Sequence, residues 1–504
     1  MHNTPSFRLH ALLPLSAGLS VSQLLATLFV RQSNIDLLKN LDALQAAGWL
    51  AIPAGPAAEK LYLWGSAFWG GLFFTLSLGI GLSLATWGLL CLWQRFFANT
   101  SKLLLIPLAL WMMLLAWVNS AGVVLYPTLF VLCTPMATAL TAWRQGAPPV
   151  AQDSDKLWYI PLLTLLVLGG LWAAHFKLNQ QLFISIRDHL LLSNPIGQKV
   201  NDFYYRNTLY AAQSFKSFSQ KTLRTATITN SPSERTTRRL INTLASYDIL
   251  VTPGYTEPDL KINFINSMLT LTVSPADPIH VEQLRFWSDL KISLGQLASV
   301  SDRYAPLRFI TYYGLLFGFP ILLYVLLDGA VRRLGGLLIK GRLLVWTRAG
   351  ICFTLGILLF VPMLAGSPVK IKQKDLSAAL AAKDWPTRVA ALRFIEQNKM
   401  NIAAYPHYRS LLTSPRVVER YYLARALAFS SHPNAVNQLL QLTRDPHPNV
   451  VCQAYYALGV RRERRAIGPI QRQLLQSDHW YTQWYGYRAL RRMGWRQIQS
   501  KSTD

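Results

Sequence analysis

Seven apolar runs, at 11–30, 61–93, 103–118, 121–142, 158–175, 308–329 and 345–366, constrain this chain more than any other feature, because each reads as long enough to cross a hydrocarbon core of about 30 Å. A soluble fold has no use for so many. Of the 504 residues 51% are hydrophobic and 15% charged, where a soluble protein carries nearer to about a quarter charged. The second run, as one helix of about 50 Å, must tilt, kink or protrude; two separate spans would need about 40 residues. The first run follows Arg8 and His10 as a signal sequence would. No small-x-small site closes it, so it reads as an uncleaved first helix.

Orientation follows from the basic residues of the short loops. The loop between the last two runs carries Arg332, Arg333, Lys340 and Arg342, with Arg348 close behind and Asp328 before it. Counting back from that loop as cytoplasmic puts Arg95 with Lys102, Arg144 with Lys156, and the N-terminus on the same side. The uncharged Asn119-Ser120 turn falls outside. Three segments then lie outside as well: 31–60, 176–307 and everything after 367.

Each has its own pattern. In 31–60, Leu37, Leu38, Leu41 and Leu44 recur at helical spacing after a Ser33/Asn34 cap candidate. Such a helix should pack on the larger domain, its polar face being too weakly basic for a lipid surface. Residues 176–307 read as a small α+β insert: a helix FISIRDHLLL, a break at Ser193 to Gly197, and an aromatic run with Phe203, Tyr204, Leu209, Tyr210, Phe215 and Phe218. Then come a helix at Arg235 to Ser246, short β-type runs at Asp248 to Thr252, Leu260 to Phe264 and Met268 to Val273, and a final helix from about Pro278. The expected domains are 1–175 with five spans, the insert 176–307, two further spans in 308–366, and 367–504.

That last segment repeats. Aligning DWPTRVAALRFI, SPRVVERYYLARAL, DPHPNVVCQAYYALG and SDHWYTQWYGYRALRRMG brings Ile395, Leu427, Leu458 and Leu490 into register at intervals of 32, 31 and 32 residues. A fixed period of this size marks a stacked helical array. The third unit, with Asp445-Pro446, Val450, Ala454, Ala457-Leu458-Gly459, Ala466-Ile467, Ile470 and Leu474-Leu475, resembles the short HEAT-like repeat of phycobilin-lyase-type proteins. Pro446 is expected to open a helix and Leu458 to enter the core. Ser414 stands where another unit has its turn Asp, and Trp480, Trp484 and Tyr485 crowd the last unit. The resemblance covers a packing motif in about a quarter of the chain and brings no lyase residues with it. The membrane part is similar to bacterial multi-span proteins with repeat tails. The expected fold is therefore a polytopic α-helical membrane protein of about seven spans, with a small extracytoplasmic α+β insert and a C-terminal α-solenoid of HEAT-like repeats.

Fifty Lys and Arg against 24 Asp and Glu give a net charge of +26, and residues 367–504 alone hold 22 basic against 8 acidic side chains. Arg461, Arg462, Arg464 and Arg465 cluster in a loop. Trp484, Tyr487, Arg488, Arg491, Arg492 and Trp495, with Arg496 beyond, share the last helix and its end. Together these ten residues from Arg461 to Trp495 form the candidate interaction surface, suited to an anionic partner, to lipid headgroups, or to a solvated face. The topology argues against nucleic acid, the usual guess for such charge.

No reaction is written in the chain. Arg187-Asp188-His189 and the group Asp277, His280 and Glu282 match no nucleophile, metal or phosphate motif. Asp202 and Arg206 are spaced as a helix-supporting pair. Cys91, Cys133, Cys352 and Cys452 form no C-x-x-C and read as small buried side chains. The spans carry almost no ionisable groups beyond Asp328 and His175 near their ends, which counts against an ion-coupled pump. Small residues at Gly71, Thr75, Gly79 and Ser83, and at Ser77, Gly81 and Ala85, point to close helix packing within the chain or with another subunit. No catalytic, cofactor or metal site is expected. The reading is a multi-pass scaffold of a bacterial inner membrane, N-terminus in the cytoplasm, whose outer repeat domain recruits a protein or anionic envelope component. The alternative is a membrane enzyme or lipid or glycan transporter with the repeats as an accessory.

Overall fold

The structure, a computed structural model, describes residues 12–96, 105–145, 157, 159–176, 184, 186–266, 268–273, 276–339, 341–365 and 371–499. Arg8, Lys102, Lys156 and Lys340 lie outside these residues, as does part of the FISIRDHLLL stretch. Within that stretch Arg187–Leu191 is a single π-type turn.

Seven apolar helices occupy the seven apolar runs. They are α1 (Leu13–Ala46), α2 (Trp64–Phe74) continued through a π turn at Thr75–Gly79 into α3 (Ile80–Phe96), α4 (Leu105–Val118), α5 (Leu125–Arg144) and α6 (Tyr159–Phe176). Later in the chain come a rod that runs from Ala305–Tyr313 through a second π turn at Gly314–Gly318 into Phe319–Leu338, and a helix at Arg342–Ala365. Five of these stretches are long and apolar enough to cross a membrane by length and composition: Leu13–Ala46, Trp64–Trp93, Leu125–Arg144, Ala305–Leu338 and Arg342–Leu359. Leu105–Val118 and Tyr159–Ala174 are equally apolar but shorter. Apolar side chains such as Leu105, Ile106, Met113, Leu163 and Leu166 stand exposed on the bundle's outside, and so does Cys91, contrary to its expected burial.

The small residues from Gly71 to Ser83 are spent inside the chain, while Ala85 stands exposed. A Cβ on Gly71 would stand 2.9 Å from the backbone nitrogen of Thr27 in α1, and one on Gly314 would stand 2.2 Å from the Ser77 carbonyl oxygen. The two π turns thus meet backbone to backbone, a contact open only to residues without side-chain bulk. At the other end of the bundle Asp328 accepts from Arg348, at 3.0 Å from its Nε and more closely from a second guanidinium nitrogen. Arg348, read from the sequence as a flanking charge, is buried in its helix. A charge in apolar surroundings needs a counter-ion.

Helix α1 departs from the sequence reading. Ser33 and Asn34 cap nothing; both lie inside one unbroken helix. At about 1.5 Å per residue its 34 residues span about 51 Å, far more than a hydrocarbon core. Its last turns bury Leu37, Leu38, Leu41 and Leu44 in the same core as the repeats.

After the π turn at Arg187–Leu191, Asn194 caps α7 (Pro195–Ser214) by accepting from the Gly197 amide at 2.8 Å. A five-stranded sheet follows, built from β1 (Arg224–Thr229), β2 (Ile249–Val251), β3 (Leu260–Ile265), β4 (Met268–Thr272) and β5 (Ile279–Glu282) in the order β2-β1-β3-β4-β5. Strand β1 pairs in parallel with β2 and β3, and the rest is antiparallel. Helix α8 (Glu234–Ser246), capped by Ser233, covers it with Leu240 and Leu244. Where the sequence suggested a helix from Pro278 there is first a strand. Only after β5 does the chain turn helical, at α9 (Gln283–Ser288) and α10 (Leu290–Val300).

The repeats stack their helices α11 (Trp385–Gln397), α12 (Val417–Leu427), α13 (Pro448–Arg461) and α14 (Trp480–Arg492) side by side. Ile395, Leu427, Leu458 and Leu490 are all fully buried at that seam. Pro448, not Pro446, opens α13; His447 is its cap residue, and Asp445 accepts from the His447 amide at 2.9 Å. Ser414 and Ser477 do the same for Arg416 and His479 in their own units, at 3.1 and 3.2 Å. A second device also recurs. Arg388, Arg420 and Gln483 donate to carbonyls just before their helix, respectively those of Ala382 and Lys383, of Ser414, and of Ser477 together with Leu474 at the end of the preceding helix. Loop carbonyls that packing would leave orphaned are thereby satisfied.

Candidate functional site

Helix periodicity sorts the ten candidate surface residues into two sets. Tyr487 is 1% exposed, and its hydroxyl donates to Asp248, beside β2, at 2.6 Å. Arg491 pairs with the same carboxylate at 2.9 Å and donates to the carbonyls of Ala245 and Ser246. Trp495 packs edge-on against Tyr487. Arg461 donates to the carbonyls of Leu427, Ala428 and Ser430, closing the C-terminus of the preceding repeat's helix. These four hold the protein together. Arg462, Arg464, Arg465, Arg488 and Arg492 are exposed. Arg465 pairs with Glu463, Arg488 lies 4.6 Å over the half-buried Trp484 ring, and Arg492 lies 5.0 Å over Tyr456.

The inner face of the array is a dock. Gln483 exchanges two hydrogen bonds with the backbone of Ala54, each 2.9 Å. Gln497 does the same with Leu50, at 3.2 and 2.9 Å. Trp49, on the same loop, donates to the Val251 carbonyl. Helix α7 joins through Asn201 to Asn449 at 2.9 Å, Tyr205 stacked on Tyr481, and Tyr210 against Trp480. Arg206, paired with Asp202 as its spacing implied, also reaches Asp478, which Lys60 holds too. Those two cations keep the Asp478 carboxyl down at about 2. The Arg187-Asp188 pair is part of this dock. Asp188 accepts from the Tyr422 hydroxyl at 2.6 Å, while Arg187 donates to Tyr421 and Tyr422. By contrast Asp277, His280 and Glu282 are all exposed, and no metal-holding group of His, Cys, Asp and Glu exists among the described residues.

His479 sits in the dock with neither ring nitrogen hydrogen-bonded, 3.7 Å from Asp202. Burial, reinforced by Arg206, pushes its pKa down to about 4, against about 6.5 in an unfolded chain. Between these values the unfolded state binds more protons, so stability falls as pH drops through that window, by roughly 3 kcal/mol in all. His447, also lowered by burial, adds to the same slope. We expect the thermal midpoint of the purified chain to fall from pH 7 to pH 4.5, and His479→Gln to flatten that fall; an equal fall in the variant would refute the assignment.

Sequence reasoning missed a cavity of about 630 Å³ where bundle, sheet and array meet. That lies within the range of about 300–1,000 Å³ typical of ligand sites. Its walls come from the end of α1, the connector after α7, the β2–β3 loop, Arg303 and Tyr304, Val124 and Tyr126, and Trp480 of the array. Phe29, Leu37, Leu41, Leu44 and Phe218 make one side apolar. Lys221 pairs with Asp259 across the other, Glu257 with Lys39, and Gln32 donates to Asp36. Lys216 has no such partner among the described residues, and burial with Lys221 nearby lowers its pKa to about 8. The only sequence signal was a pair of lysines closing an aromatic helix.

Compared with known proteins, residues 405–491 match the family model described as HEAT repeats. No curated protein and no solved structure matches the chain significantly. The match covers the stacked units from Tyr405 to Arg491, the region in which the register residues Leu427, Leu458 and Leu490 are buried.

Proposed function

We propose that this chain is a membrane-embedded scaffold, crossing the bilayer about seven times, with its N-terminus in the cytoplasm and its sheet and HEAT array outside. The array would hold an acidic protein or another anionic envelope component. HEAT repeats themselves suggest an interaction role. The observation that carries the finer reading is the division of the array's charge. Glu396, Glu419, Asp445, Glu463 and Asp478 are spent in ion pairs, while Arg462, Arg464, Arg488 and Arg492 face outward. Arg464 reaches the turn that ends α14, so the loop cluster and the last helix form one basic edge. Exposed apolar side chains around α4 and α6 support the spans. Val124 of the turn after α4, Leu44 at the end of α1 and Thr225 of β1 border one cavity, which supports reading all three on the same side.

The test has two arms. Reporter fusions at 150 and 337 should read cytoplasmic and those at 250 and 500 outside; a cytoplasmic signal at 500 overturns the orientation. Purification of the full chain in mild detergent should retain acidic partners at low salt, and serine at Arg462, Arg464, Arg488 and Arg492 should release them. Equal retention by both chains at low and moderate salt would end the basic-edge reading.

A further inference from the structure

Among the described residues, no carboxylate comes within ion-pair distance of Lys216, although Lys221, which lines the same cavity, has one. Holding an ammonium half-buried without a counter-ion costs free energy that packing must offset. Two residues before it, the buried Ser214 hydroxyl also lacks a partner and lines the same cavity. Arg303 also lines the space. Lys216 thus lines a volume that it shares with Lys221, Arg303 and the carboxylates Asp36, Glu257 and Asp259, and one side of which, Phe29, Leu37, Leu41, Leu44 and Phe218, is apolar. Two of the wall segments are ends of candidate spans: Phe29 within α1 and Tyr126 in the first turn of α5. Hence the cavity stands level with the outer rim of the bundle, where headgroups lie if the bundle spans a bilayer.

We propose that this cavity binds a membrane amphiphile with an anionic headgroup, the head held by Lys216 and the first part of its chain lying against Phe29, Leu37, Leu41 and Phe218. The proposal rests on the reading of the bundle as membrane-spanning for the source of the ligand, not for its chemistry. An anion beside Lys216 supplies the missing counter-ion, and an apolar stem covers the wall that a small inorganic anion would leave wetted. Trp480, from the array, closes the same space, so an occupied cavity also ties the array to the bundle rim.

The full chain, purified in a neutral detergent, is titrated with oleate, with oleyl alcohol and with inorganic phosphate, and the thermal midpoint is followed. Oleate should raise the midpoint saturably, while the alcohol and phosphate should not. Lys216→Met should weaken oleate about ten-fold, the loss expected for one charge-assisted hydrogen bond, and Lys216→Arg should retain most of the binding. Without oleate the Met variant should melt no lower than the parent, because it removes an unpaired half-buried charge; a lower midpoint would show that the ammonium has a structural partner and would overturn the proposal. Equal binding by oleyl alcohol would overturn the role of the anion. Phosphate binding as strong as oleate would overturn the amphiphile in favour of a free anion. Since the fusions report only on the spans and the titration only on the cavity, the two readings fail separately.

Discussion

Aspartate at Leu458 is expected to unfold the array. The side chain is fully buried at the seam of the stacked helices, in one cluster with Val450, Ala454 and Leu490. Truncating a buried leucine costs about 2–5 kcal/mol, and an ionised carboxylate with no partner there adds several more. A repeat stack is held by its neighbours, so failure of the third unit should spread to the units on either side. Limited proteolysis of the full chain in detergent should show new cleavage between 415 and 490. Leu475→Asp is the control, since Leu475 is 53% exposed in the same repeat and its substitution should leave the digestion unchanged. A parental pattern from Leu458→Asp would contradict the seam.

The second large effect is expected at Asp188. Its carboxylate is the counter-ion of Arg187, whose guanidinium lies 4.3 Å over the Tyr421 ring and donates to both tyrosine hydroxyls of α12. Asp188→Ala leaves that cation buried and uncompensated and strips the Tyr422 hydroxyl of its acceptor, a loss of about 3–5 kcal/mol. Because the pair bridges the π turn at Arg187–Leu191 and the array, we expect the first repeats to lose amide hydrogen-exchange protection while the sheet keeps its own. Asp188→Asn keeps an acceptor without the charge and should fall between. Unchanged protection in α11 and α12 would show that the dock does not depend on this pair.

What was legible in the sequence was periodic. The spacing from Ile395 to Leu490 located the seam, because each unit repeats the same local packing problem. The alternation at Leu260 to Phe264 and Met268 to Val273 located β3 and β4. Strand β1, RTATIT, hid behind its threonines, and β5 behind Pro278, which looked like a helix opening. The Ser33/Asn34 pair looked like a cap, but Asn34 is 1% exposed in mid-helix; burial of the leucines beyond it outweighs local preference.

The site was less legible, for a different reason. Composition showed an arginine-rich end without saying which arginines point inward. Tyr487 and Arg488 are neighbours in sequence, yet the first is buried on Asp248 and the second faces solvent. Only the position of β2, more than two hundred residues earlier, separates them. The cavity draws on segments scattered from Phe29 to Trp480, none of which carries a motif.

The unbroken course of α1 makes the molecule a lever. Leu15 packs among Ile80 and Leu322 at the far end of the bundle, and Leu44 packs in the core of the repeats. Between them runs about 44 Å of helix with no hinge. If the bundle spans a bilayer as proposed, a helix of this length answers a thinner one by tilting. A tilt of about 10° about the Leu15 end would displace Leu44 sideways by about 8 Å over that length, and the array, clamped to those last turns, has to travel with it.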